Sequence, residues 1–63
     1  MKTYYVEFGS DDDSCMETIH KFHNEREARE FYDALIIRRG YYKKLYYHEN
    51  RHEHGLAFDC FTD

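Results

Sequence analysis

Three tyrosine pairs, Tyr4-Tyr5, Tyr41-Tyr42 and Tyr46-Tyr47, stand in segments that read as β-strands. Successive strand side chains point to opposite faces of a sheet. Each pair therefore commits one ring to each face, so both faces carry aromatic surface. A chain of 63 residues has little else with which to cover them. One segment has helical periodicity, and one helix covers one face. The pattern calls for two layers, with an aromatic sheet face left open.

A domain this short buries only about 60% of the surface its unfolded chain exposes. Seven tyrosines and five phenylalanines offset the short length with large buried areas. Charged residues make up 35% of the chain, which is a folded, soluble composition rather than a disordered one. The net charge of −4 disfavours indiscriminate phosphate binding. The first seven residues lack the apolar stretch of a secretory signal, and no apolar run approaches the ~20 residues of a membrane span. The chain is accordingly expected to be cytoplasmic, with Cys15 and Cys60 reduced.

Thr3 to Phe8 alternates cleanly, with Tyr4, Val6 and Phe8 on one face and Thr3, Tyr5 and Glu7 on the other. Gly9 to Ser14 reads as a polar loop. Residues 16–22 alternate poorly, which suits an edge strand. Asn24 is a favoured N-cap with Glu27 at the capping-box position, and the spacing predicts a helix over residues 25–39. Ala28, Phe31, Tyr32, Leu35 and, at the margin, Ile36 form its apolar stripe. Gly40 reads as the left-handed residue beyond its end, after Arg38 and Arg39. Strands follow over residues 41–48 and 56–61.

A hairpin centred on Asn50-Arg51 would set Leu45 opposite Leu56. Leu45, Tyr47, Leu56, Phe58 and Cys60 then lie under the helix. Tyr42, Tyr46 and Phe61 fall on the open face with Tyr5, and Lys44 and Asp59 stand among them. The fold class is α+β: residues 1–63 as a single two-layer β-β-α-β-β domain, an antiparallel-rich sheet packed against one helix. The pattern does not set the strand order.

The open face supplies the leading candidate site, Tyr5, Tyr42, Lys44, Tyr46 and Phe61, suited to a protein partner or to a second copy in a homodimer. An alternative uses the basic-aromatic strip Arg38, Arg39, Tyr42, Lys43, Lys44 and Tyr46 to bind single-stranded nucleic acid by phosphate contact and base stacking. The acidic balance of the chain and the absence of an RNA-recognition signature weigh against it. His48, His52 and His54 are candidate metal ligands, but His52 and His54 project to one side of the hairpin and His48 to the other. Asp11, Asp12 and Asp13, flanked by Glu7 and Glu17, read either as a solvated turn or as a phosphate mimic for a basic partner.

No nucleophile spacing and no glycine-rich phosphate loop is present, and a chain this short hardly encloses a substrate pocket. The chain therefore reads as a non-enzymatic protein-binding module without a cofactor, in the manner of an accessory or inhibitor protein of a phage or mobile element.

Overall fold

The computed structural model describes residues 2–10 and 17–61. Strands β1 (Thr3–Ser10), β2 (Thr18–Phe22), β3 (Tyr41–Glu49) and β4 (His52–Phe61) form one antiparallel sheet. Their order is β2-β1-β3-β4, and helix α1 (Glu25–Ala34) packs on one face. This is the α+β, β-β-α-β-β arrangement that the sequence predicts. β1, the most regularly alternating strand, occupies the interior, and residues 18–22 form an edge as their poor alternation implies. Among the described residues no helix is long and apolar enough to cross a membrane.

The core lies between β1, β3 and α1. Val6 and Leu45 are directly opposed across β1 and β3, and neither has any exposed surface. Tyr4, Ala28 and Tyr32 complete the buried cluster, with Phe22, Phe31, Leu35, Tyr47, Leu56 and Ala57 around it. Ala28, fully buried, is the smallest side chain of the helical stripe and lets the helix backbone close on the sheet.

Asn24 caps α1 as its sequence position implies. Its backbone is extended (φ −139°), its Oδ1 accepts from the Glu27 N–H at 2.8 Å, and its Nδ2 donates to Glu27 Oε1 at 3.1 Å. The far end departs from expectation, for the helix stops at Ala34 rather than continuing to residue 39. Lys43, eight residues beyond Leu35, ends it. Its Nζ donates to the carbonyls of Tyr32 (2.7 Å) and Leu35 (2.9 Å) and lies 4.3 Å from the Tyr32 ring centre. Carbonyls left over at a helix end need donors, and here a lysine from the sheet supplies them. β-Branched Ile36 and Ile37 follow in sequence and favour extended backbone. Ile36, expected at the edge of the buried stripe, is 89% exposed. Gly40 does not close the helix. At φ +85° it shapes a turn in which the Tyr41 N–H donates to the Arg38 carbonyl, and its own N–H donates to the Phe61 carbonyl at 2.7 Å.

The β3–β4 hairpin turns on Asn50 and Arg51, both left-handed (φ 54° and 68°), at the expected position. From the turn inward Tyr47 pairs with His54 and Tyr46 with Gly55, but Leu45 then pairs with Ala57. Leu56 is thus the extra residue of a β-bulge. Two adjacent apolar side chains, Leu56 and Ala57, both pack on the core, which regular alternation forbids and a bulge allows. Past the bulge the faces exchange relative to expectation. Phe58 and Cys60 lie on the open face, while Asp59 and Phe61 lie on the helix side. Asp59 is fixed there by accepting a hydrogen bond from the Tyr32 hydroxyl at 2.6 Å.

Arg51 holds a conformation that disfavours a side-chain-bearing residue and suits glycine. Arg51→Gly is expected to stabilise the hairpin by about 0.5–1 kcal/mol, a gain of several degrees in Tm for a domain of this size. Thermal unfolding followed by circular dichroism checks this, and a lower Tm would contradict it.

Candidate protein-binding face

The open face is built by side chains from all four strands. β1 contributes Tyr5 and Glu7, β2 contributes Ile19, β3 contributes Tyr42, Lys44, Tyr46 and His48, and β4 contributes Glu53, Phe58 and Cys60. Tyr5 and Tyr46 are cross-strand partners whose rings stack with centroids 5.3 Å apart. His48 closes on both rings, 4.9 Å from Tyr5 and 5.5 Å from Tyr46. Further along β3, Tyr42 stacks on Phe58 at 6.1 Å.

Two carboxylates order these rings. Glu7 sits between Tyr42 and Tyr46 and accepts from both hydroxyls, at 2.6 Å and 3.3 Å. Glu53 accepts from Lys44 Nζ at 2.9 Å and lies 3.6 Å from His48 Nε2, while the Lys44 ammonium stands 4.8 Å from the Tyr46 ring centre. Lys44 thereby holds the Glu53 carboxyl below the usual carboxylate range, although desolvation opposes it.

Tyr46, Tyr42 and Tyr32 shift the other way. Burial first, and then the nearby Glu7 charge and hydrogen bond, push Tyr46 up to about 12. Burial and the Glu7 hydrogen bond drive Tyr42 well above the usual tyrosine range, and on the helix side burial and Asp59 do the same for Tyr32. The fold thus favours the neutral phenols. Their stabilisation is complete below the unfolded value near 10 and is lost as pH rises through the folded values. Urea midpoints should therefore fall steadily above about pH 10, and less steeply in Tyr46→Phe. Absorbance at 295 nm should show late-titrating tyrosines, and a single titration of all seven near 10 would contradict the network.

Of the residues proposed from sequence, the structure brings Tyr5, Tyr42, Lys44 and Tyr46 together on one face. Phe61 is not among them, because the bulge turns it to the helix side beside Tyr41. Asp59 is likewise removed from the face. Phe58 takes the aromatic position on β4 and is 62% exposed, and Ile19, 52% exposed, adds apolar surface on β2. Glu7 was legible as an open-face residue from the alternation of β1, but its hub role depends on β1–β3 register.

The basic-aromatic strip is divided. Lys43 faces the helix and holds its carbonyl end, whereas Lys44 lies on the open face against Glu53. Arg38 and Arg39 lie in the turn that leads into β3. Tyr46 is 5% exposed, and its stacked ring offers little surface to a base. His48 is separated from His52 and His54, as the alternation implies. His48 lies in the open-face cluster, and His54 stacks on Tyr47 on the other face at 4.8 Å. Among the described residues no three His, Cys, Asp or Glu side chains converge as metal ligands. Asp11, Asp12, Asp13 and Cys15 lie outside the described residues.

No protein-family model matches this chain, and neither a curated protein nor a solved structure matches it at a significant level.

Proposed function

We propose that this chain is a non-enzymatic protein-binding module that engages its partner through the open sheet face. The observation that carries the reading is the ordered aromatic layer: Tyr5 on Tyr46 and Tyr42 on Phe58, with the Tyr42 and Tyr46 hydroxyls held by Glu7. Phe58 and Ile19 give this face exposed apolar surface of the kind that marks interaction sites, and side chains already fixed in place lose little entropy on binding. Glu7 and Glu53 lie among the rings, so a partner that meets the aromatic layer and brings basic or N–H donor groups to these carboxylates fits best. The same carboxylates count against nucleic acid, as does the separation of Lys43 from Lys44.

Affinity capture with matched variants tests this. Ile19→Asp places a charge on the open face, and Ile36→Asp places one on a residue that is more exposed and lies off the face. A partner retained by wild type and Ile36→Asp but released by Ile19→Asp is the expected result. Release by Ile36→Asp alone would overturn the reading. So would salt-sensitive binding to a single-stranded oligonucleotide that persists in both variants.

A further inference from the structure

Ile19, Glu7, Lys44 and Phe58 form one transverse row on the open face. Glu7 pairs with Ile19 on β2 and with Lys44 on β3, and Lys44 pairs with Phe58 on β4. The outer two are apolar and exposed, Ile19 at 52% and Phe58 at 62%. The inner two carry opposite charges on directly paired residues, an arrangement that favours a cross-strand ion pair. That pair is not made. Lys44 Nζ turns instead to Glu53, at 2.9 Å, and lies over the Tyr46 ring. Among the described residues no lysine, arginine or histidine forms an ion pair with Glu7.

The two carboxylates of the face are therefore unlike. Glu53 already holds an ammonium and lies beside the His48 imidazole. Glu7 holds two phenol hydroxyls, Tyr42 on Oε2 at 2.6 Å and Tyr46 on Oε1 at 3.3 Å. These fix the carboxylate in place without cancelling its charge. A carboxylate oxygen has two lone pairs, so each Glu7 oxygen keeps one acceptor position. Two such positions side by side match the parallel N–H groups of a guanidinium.

We infer that Glu7 is the receptor for an arginine side chain of the partner. The inference rests on the open-face reading and names the group that this face recognises. The guanidinium binds both Glu7 oxygens, and the methylene stem of the arginine lies along Ile19, the apolar neighbour of Glu7 on β2. Arginine suits the site better than lysine. The lysine ammonium is a compact, strongly hydrated point charge, with neither the fork that fits a carboxylate nor a planar surface for the tyrosine rings around Glu7. Glu53, already paired, is not the receptor.

Heteronuclear NMR titration of the wild-type chain with N-acetyl-arginine methylamide, and with the lysine analogue at the same ionic strength, tests this. The expected result is saturable shifts at Ile19, Glu7 and Tyr42, with the arginine probe bound more tightly than the lysine probe. Glu7→Gln should weaken arginine binding about tenfold or more. Glu30→Gln makes the same charge change on an exposed helix residue and should leave binding unaltered. Equal affinity for the two probes overturns the inference, and that comparison uses the wild-type fold alone. Arginine binding that survives Glu7→Gln, or no saturable shift on the open face, also overturns it. None of these outcomes decides whether Ile19→Asp releases the partner, so the open-face reading stands or falls on its own test.

Discussion

Leu45→Ala is expected to leave much of the chain unfolded at 37 °C. Leu45 has no exposed surface, faces Val6 on β1 and Ala57 on β4, and belongs to the cluster that Ala28 and Tyr32 close from above. Truncating such a leucine costs about 2–5 kcal/mol, the upper part of the range applying where the surroundings cannot collapse into the cavity. Collapse is restricted here. The helix is held by the Lys43 bonds to its carbonyl end and by the Tyr32–Asp59 hydrogen bond. Domains of this size have about 3–9 kcal/mol of total stability, so one cavity removes a large share of it. Urea unfolding followed by circular dichroism measures the loss. Leu56→Ala, at the partly buried bulge residue, should cost clearly less. A loss below about 1 kcal/mol for Leu45→Ala would mean that the core is centred elsewhere.

Phe58→Ser is expected to do the reverse, leaving the fold intact and weakening partner binding by about 30-fold or more. Most of the Phe58 surface is exposed, so its removal changes stability by about 0.5 kcal/mol or less. At an interface the same ring becomes a buried aromatic anchor stacked on Tyr42. Truncating such an anchor typically costs about 2 kcal/mol or more, and 1.4 kcal/mol is a factor of ten. Equal Tm values with unequal titration curves are the signature. Equal affinities would remove Phe58 from the interface.

The face on which Phe58 stands was the least legible feature of the sequence. Alternation in Thr3–Phe8 places Val6 in the core and Tyr5 and Glu7 outside it, and Asn50-Arg51 marks the turn, because local backbone preference and side-chain period determine both. The bulge left no such mark. Leu56 and Ala57 are adjacent apolar residues, and either fits under the helix in a regular strand. Both are drawn inward because β3 and α1 offer space for both, and that space exists only in the assembled fold. One extra residue then reversed Phe58, Asp59, Cys60 and Phe61 together.

The helix end was hidden for a related reason. Arg38, Arg39 and Gly40 resemble a local helix terminus, but the group that satisfies the last carbonyls is Lys43 on the neighbouring strand. A long-range donor leaves no signal in the local pattern. The same contact explains why a basic run that looked continuous divides between two faces. The Glu7 hub with Tyr42 and Tyr46 was likewise out of reach, since it joins residues 35 and 39 positions apart through strand register.

The open face, rather than the helical layer, is the proposed contact with the partner. Phe58→p-benzoylphenylalanine carries a photoreactive ketone on that face, and Ile36→p-benzoylphenylalanine carries one off it. Irradiation in extract of the native source, followed by mass spectrometry, reads the contact directly. A covalent adduct with a distinct protein from position 58, and none from position 36, is the expected result. An adduct from position 36 with none from position 58 would contradict it.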